Sequence, residues 1–261
     1  MAEIVVARSK QAAGELVATE IRRLIESKAD TVLGLATGST PLPVYAALAA
    51  SFRANPLDVS RVRGFALDEY VGLPADHPES YRTVITRDVV GPLGLTPNQI
   101  QVPNGDFATL EHAGAEYERA IEAAGGVDLQ ILGIGRTGHL GFNEPGSSFA
   151  SLTRVNTLAP KSRADNARFF ASPDDVPRHG ITQGLGTIRR ARHLVLLAFG
   201  AEKAAAVAAA VEGPVTSSQP GSAIQLHAHV TVVLDEDAAA QLASLDYYRY
   251  IWANKPAWQG L

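Results

Sequence analysis

Along this chain, short and continuous hydrophobic runs alternate with longer stretches whose apolar positions recur at helical spacing. Glu3 to Ala7 reads as a short strand, and Gln11 to Ser27 carries Leu16, Val17, Ile21, Leu24 and Ile25 on one helical face. Thr31 to Ala36 is a fully apolar strand, after which Thr37-Gly-Ser-Thr-Pro41 turns into a helix running to about Arg53. Val62 to Leu67 predicts the next strand, ending at Asp68-Glu69-Tyr70, with a loop over Val71 to Tyr81 and a helix from Arg82 to Val89. Glu111 to Ala124 predicts a helix and 127–132 a strand. Leu194 to Phe199 is another buried strand, leading through Gly200 into an Ala-rich helix that ends at Val211. Val230 to Leu234 is the last clear strand, before a helix over Ala238 to Ile251.

Strands that alternate with helices imply βαβ units. Strands without polar alternation imply that both faces of the sheet are covered. The expected class is therefore α/β: a single domain over residues 1–261, doubly wound, with a mostly parallel sheet and helices on both faces, a Rossmann-like three-layer arrangement. The polar, Arg-rich segment from Pro160 to Pro177 stands apart and is expected to form a small mobile lid over about 160–177.

Composition narrows the classes of function. With 261 residues, 46% of them hydrophobic, the chain has ample material for a packed core. A net charge of −4 and the lack of any Lys/Arg cluster leave no electrostatic footprint for nucleic acid. The absence of cysteine excludes disulfides, thiolate zinc sites and a cysteine nucleophile. No apolar run reaches the roughly 18 residues a membrane helix needs, and the N-terminus lacks a signal-peptide pattern. A cytoplasmic protein with neither membrane nor nucleic-acid partners is the expectation.

The densest chemistry lies in Gly133-Ile-Gly-Arg-Thr-Gly-His139-Leu-Gly-Phe-Asn-Glu144-Pro145, directly after the strand at 127–132. In an open α/β sheet, ligands bind at the carboxyl ends of strands. Gly133, Gly135 and Gly138 satisfy the dinucleotide fingerprint, but that motif needs a helix opening at its third glycine. Gly141, Asn143, Pro145, Gly146, Ser147 and Ser148 cannot propagate one. No nucleotide cofactor is expected.

Three further places carry polar groups at predicted strand or helix ends. Thr37-Gly38-Ser39-Thr40-Pro41 offers backbone N–H groups and hydroxyls where a helix begins, which suits a phosphate or simply caps the helix. Lys203 sits in the first turn of a helix, against the macrodipole, a conflict that a bound anion would remove. Asp68 follows Phe65-Ala66-Leu67 and is placed to line a crevice as a base, whereas Glu69 reads as a surface acid. Arg168, in the expected lid, could clamp a phosphate bidentately. His227 and His229 lack a third ligand at zinc spacing, so no metal is expected. His77, His112, His179 and His193 read as surface or cap histidines.

Together, Leu35-Ala-Thr-Gly-Ser-Thr-Pro41, Leu67-Asp-Glu-Tyr-Val-Gly-Leu-Pro74, His77-Pro-Glu-Ser-Tyr81, Gly138-His-Leu-Gly-Phe-Asn-Glu-Pro-Gly-Ser-Ser148, Asn166-Ala-Arg-Phe-Phe170 and Val211-Glu-Gly-Pro-Val215 resemble the glucosamine-6-phosphate deaminase family nearly end to end. The resemblance implies hydrolytic deamination with aldose–ketose isomerisation, from glucosamine 6-phosphate to fructose 6-phosphate and ammonia, with no cofactor and with a small amino-sugar phosphate as partner. By the same resemblance Asp68 is the base between C2 and C1, and His139 assists ring opening with Glu144 as its charged partner. Thr37, Gly38, Ser39, Thr40, Arg168 and Lys203 match the phosphate-binding set.

One departure stands out: Thr137 occupies the position in the catalytic cluster where the family usually has aspartate, which predicts a less basic His139. Some members are hexamers activated by N-acetylglucosamine 6-phosphate. Ser147, Ser148, Arg154 and Thr157 match parts of that effector site, but Asn156 stands where a lysine is expected, which argues against such activation. A homo-oligomer stays open. Galactosamine 6-phosphate as substrate, a 6-phosphogluconolactonase and a non-catalytic sugar-phosphate sensor are the alternatives.

Overall fold

The computed structural model describes residues 2–256 and 258–261. Ten strands occur in chain order: β1 (Glu3–Val6), β2 (Val32–Leu35), β3 (Arg63–Ala66), β4 (Asp68–Tyr70), β5 (Ile100–Gln101), β6 (Leu129–Gly133), β7 (Arg154–Thr157), β8 (His179–Thr182), β9 (His193–Ala198) and β10 (Val230–Leu234). Seven of them form one sheet in the order β1-β10-β9-β6-β2-β3-β5, and every pairing in it is parallel. The helices are α1 (Lys10–Ser27), α2 (Leu42–Ala54), α3 (Tyr81–Ile85), α4 (Gly91–Leu93), α5 (Leu110–Ala123), α6 (Pro160–Asn166), α7 (Leu185–Ile188), α8 (Ala204–Val211), α9 (Glu236–Ala239) and α10 (Leu245–Ala253).

The apolar runs explain the layering. Successive side chains on a strand point to opposite faces, and here the alternate residues join different cores. Leu33, Val195 and Val233 pack with Val17 and Ile21 of α1 and Leu48 of α2. Val32, Leu194 and Val232 pack with Tyr117 and Ile121 of α5 and Val207 of α8. Helices therefore cover both faces, as the α/β pattern predicts. Among the described residues no helix is long and apolar enough to cross a membrane.

Strand order places a crevice. From β2 the chain moves to β3 on one side, and from β6 it moves to β9 on the other. The junction between β2 and β6 is thus a topological switch point, where open α/β sheets bind ligands.

Three features depart from the pattern. Asp68-Glu69-Tyr70 is not the frayed end of a parallel strand but β4 itself, in a second, antiparallel sheet of order β4-β8-β7. These strands are too short and polar to show a period. The helix expected over 82–89 is α3 followed by a wide turn at Thr86–Val90 and then α4. The helix expected over 238–251 is broken into α9 and α10, because Glu212 accepts the N–H groups of Ala243 and Ser244 at 2.7 and 2.8 Å and so ends one helix and starts the next.

Candidate active site

Four neighbouring strands, β9, β6, β2 and β3, send their carboxyl ends to one rim. At about 4.8 Å per strand interval the rim spans roughly 14 Å. A cavity of about 460 Å³ opens there, lined by Thr37 to Thr40, Asp68, His139, Arg168 and Lys203. That volume lies within the roughly 300–1,000 Å³ typical of small-molecule sites.

The loop after β2 supplies the first wall. Pro41 occupies the N-cap position of α2, and no side chain caps that helix. The hydroxyls of Thr37, Ser39 and Thr40 are therefore not consumed as caps of α2. Among the described residues its first turn keeps one uncommitted N–H, that of Leu42, because Pro43 has none and Val44 and Tyr45 donate to Pro41 O at 2.9 and 3.2 Å. Thr40 packs toward the β6 turn, its Cβ 3.9 Å from where a side chain on Gly133 would begin.

The turn after β6 explains its glycines differently from a nucleotide motif. The imidazole of His139 lies on Gly135, where a Cβ would meet ring atoms at 2.0 to 2.4 Å. Gly135 is thus required by the histidine. Gly141, with φ at 55°, lets the turn press against β4 and β8: a Cβ there would meet Thr182 Oγ1 at 2.8 Å and Asp68 Oδ2 at 3.2 Å. The turn is stitched down by Asn143, whose Nδ2 donates to Leu140 O at 2.9 Å and Gln183 O at 2.8 Å, and by Phe142 N donating to Thr182 Oγ1 at 3.2 Å. The small sheet therefore holds His139 and Asp68 to one cavity.

Asp68 and Glu69 sit on opposite faces of β4. Glu69 is not a surface acid: it is 6% exposed, and its carboxylate accepts the N–H groups of Tyr70, Tyr81 and Arg82 at 2.8, 2.9 and 3.0 Å. It anchors the start of α3. Asp68, equally buried, accepts no hydrogen bond among the described residues. Burial, with a smaller push from Glu69, holds its carboxyl well above the usual carboxylate range.

Behind His139 stand two groups that do not line the cavity. Thr137 Oγ1 lies 2.7 Å from His139 Nδ1, and Glu144 Oε2 lies 3.7 Å from the same nitrogen. Neither lines the cavity, and both approach it through the imidazole. Burial holds His139 below the usual imidazole range; Glu144 pulls it back up, and Lys203 and Lys161 push it further down. Glu144 thus favours the charged ring, as its place beside His139 implies, while burial is the larger effect.

Part of the lining is cationic. Lys203 precedes α8, is half-buried, and is held below the usual lysine range by burial and by the nearby guanidinium groups of Arg136 and Arg168, with Glu202 opposing. Arg168 reaches the cavity from the segment expected as a lid, with its guanidinium 4.7 Å from the Phe169 ring centroid and no carboxylate within 4 Å among the described residues. Arg136 binds Asp165 of α6, its Nε donating to Oδ2 at 3.0 Å, and so ties that segment to the β6 turn. A lysine crowded by other cations is relieved by an anion.

Several lining residues lie in the motifs quoted above, where no role was read for them. Tyr70, Tyr81, Phe142 and Phe170 form an aromatic wall, with Tyr70 4.9 Å from Tyr81 and 5.4 Å from Phe142 between centroids. Only contacts across β4, α3 and the turn bring them together. His193 is not a surface histidine: it is buried and stacked on His229 at 3.7 Å, and its imidazole is pushed down to about 3 by burial and by the neighbouring histidines. Among the described residues no three ligating side chains gather around His227 and His229.

Fold and site together define the class: a parallel α/β protein whose switch-point crevice gathers a hydroxyl-rich loop and two cations with a buried acid and an imidazole. A profile of the family described as glucosamine-6-phosphate isomerases/6-phosphogluconolactonase matches residues 6–233, and the chain belongs to that family. It is 56% identical to the glucosamine-6-phosphate deaminase of Bifidobacterium longum (strain DJO10A), with all of both chains covered. It is similar to the solved structure of a monomeric glucosamine-6-phosphate deaminase, with a TM-score of 0.89, 38% identity, and coverage of 92% of this chain and 99% of that one. A 6-phosphogluconolactonase from Trypanosoma brucei shares the fold at a TM-score of 0.75 and 20% identity, covering 93% of this chain and 99% of that one.

Proposed function

We infer that this chain converts glucosamine 6-phosphate and water to fructose 6-phosphate and ammonia. The observation that carries the reading is that one cavity gathers the Thr37–Thr40 loop, Lys203 and Arg168 together with the His139 turn and a buried Asp68 that has no hydrogen-bond partner among the described residues.

In this reading the phosphate takes the N–H groups and hydroxyls of Thr37 to Thr40 together with the two cations. Its binding energy then orients the reacting carbons. Neutral His139 takes the proton of the ring hydroxyl as the pyranose opens and returns it to the ring oxygen, a role suited to an imidazole near neutral pH. Asp68, as carboxylate, takes the proton from C2 and delivers it to C1. The C2–H electrons form a C1=C2 bond as the carbonyl oxygen at C1 takes a proton. The amine lone pair then forms C2=N as C1 takes the proton from Asp68 and nitrogen gives one up, and water replaces nitrogen at C2 to release ammonia. Desolvation makes Asp68 a stronger base than an exposed carboxylate. Asn166, Arg168, Phe169 and Phe170 line the cavity from 160–177, which we take as the lid that excludes water. Because the site draws on residues from 37 to 203, residues 1–261 are taken as one catalytic domain.

Ammonia release from glucosamine 6-phosphate tests the reading, with galactosamine 6-phosphate and 6-phosphogluconolactone as competing substrates. Lys203→Ala is expected to raise KM by about 10- to 100-fold, the loss of one charge-assisted contact worth roughly 1.5–3 kcal/mol, with a smaller change in kcat. Lactone hydrolysis without ammonia would replace this function with the other activity of the family.

A further inference from the structure

His139 Nδ1 faces two acceptors and reaches one. The Thr137 hydroxyl is at 2.7 Å, within hydrogen-bond distance, while Glu144 Oε2 is at 3.7 Å, outside it. Glu144 is tethered at its other oxygen, where Oε1 accepts the Ala159 N–H at 3.2 Å. Its Oε2 is buried and, among the described residues, has no hydrogen-bond partner. Leaving a buried acceptor without a donor costs about 1–3 kcal/mol, more when it is charged. Such an atom is well explained if its donor arrives at another stage of the cycle, and the nitrogen facing it is Nδ1.

The two partners suit different states of the ring. A hydroxyl can donate or accept, so Thr137 can hold either neutral tautomer of His139; a carboxylate can only accept. Once the imidazole is charged, an ionised acceptor in a dry site outcompetes a hydroxyl. We infer that, in the reaction proposed above, Thr137 and Glu144 form a two-position seat: the hydroxyl holds the neutral ring, and the ring passes to the carboxylate when Nε2 takes a proton.

The step balances. The O1–H bond of the pyranose breaks as an N–H bond forms at Nε2, the C1–O5 bond breaks as C1 becomes carbonyl, and the proton held at Nε2 then moves to O5. The imidazolium exists only between the two transfers, and about 1 Å of ring movement closes the gap to Glu144. A second fixed carboxylate at 137 would compete for that charge. With Thr137 there, Glu144 holds it alone.

The groups facing the ring set the signs. Glu144 favours the charged form, while Lys203 after β9 and Lys161 of α6 oppose it. Removing the neutral seat while keeping Glu144 should raise the imidazole pKa, and removing Glu144 should lower it. The test is 15N NMR titration of His139 in the intact, substrate-free protein, assigned by the signal lost in His139→Gln. Thr137→Val is expected to shift the midpoint up and Glu144→Gln to shift it down, each by about half a pH unit or more. Thr137→Ser should restore the wild-type midpoint, and kcat should fall about tenfold in Thr137→Val with KM held. A loss of packing alone would move both midpoints the same way. Shifts of the same sign, or an unchanged midpoint and kcat in Thr137→Val, would overturn the seat. If wild type released no ammonia while the midpoints still diverged, the function would fail and the seat would stand.

Discussion

Asp68 and Glu69 are neighbours on a three-residue strand, yet their carboxylates live in opposite conditions. Glu69, on the back face, is saturated by three backbone N–H groups that open α3. Asp68, on the cavity face, is as buried and accepts none. Burial pushes both above the usual range; for Glu69 the three donors draw it part of the way back, and for Asp68 nothing does. A buried acid with all its partners is architecture. A buried acid with none persists only where something else needs its proton affinity, and this asymmetry separates the working face of β4 from the supporting one.

The sharpest way to break the comparison is to neutralise each acid. Asp68→Asn keeps the shape and removes the base, so kcat for ammonia release is expected to fall by about 100- to 10,000-fold, with KM changed only a few-fold. Glu69→Gln should lower kcat far less. Comparable losses of kcat in the two variants would mean that the two faces of β4 are not functionally distinct.

Much of this was legible in the chain and some was not, for physical reasons. Six of the seven parallel strands announce themselves as apolar runs, and Thr37 to Thr40, Asp68, His139 and Lys203 follow four of them; β5, two residues long with Gln101 exposed, left no such run. The second sheet left no trace, because Asp68-Glu69-Tyr70, Arg154-Val-Asn-Thr157 and His179-Gly-Ile-Thr182 have neither length nor period. Without that sheet Glu69 looked exposed, and the ties from Thr182 and Gln183 to the turn at 140–143 were invisible. Gly133, Gly135 and Gly138 showed how a motif can be met for another reason, since Gly135 makes room for an imidazole. That Thr137 and Glu144 stand behind His139 and off the cavity is a matter of side-chain direction, which spacing does not encode.

A second and smaller effect lies on the supporting face. Glutamine at 69 keeps one oxygen for Tyr70 and Tyr81 but turns an NH2 toward the N–H of Arg82, donor against donor. Losing a charge-assisted contact and orphaning that N–H is expected to cost roughly 2–3 kcal/mol, seen as a lower urea midpoint with the slope unchanged. Wild-type stability in Glu69→Gln would show that the three bonds do not anchor α3.

The smallest effect has the opposite sign and comes from the working face. A group whose proton is held more tightly in the folded state makes stability fall as pH rises, because the unfolded chain binds fewer protons than the native one. For Asp68 that fall begins near the unfolded carboxyl value of about 3.9 and ends at its raised native value. Above that window the folded protein carries the cost of a carboxylate largely stripped of water, and asparagine does not. Asp68→Asn should therefore match wild type in Tm near pH 4 and exceed it by a few degrees at neutral pH, at about 2–4 °C per kcal/mol for a chain of this size. The same raised affinity places the acid limb of kcat/KM in the wild type above that of an ordinary carboxylate. An inactive variant that is more stable at neutral pH than its active parent is what a base held against its own solvation requires. A variant that loses stability uniformly from pH 4 to 8 would show instead that Asp68, like its neighbour, is held by the fold.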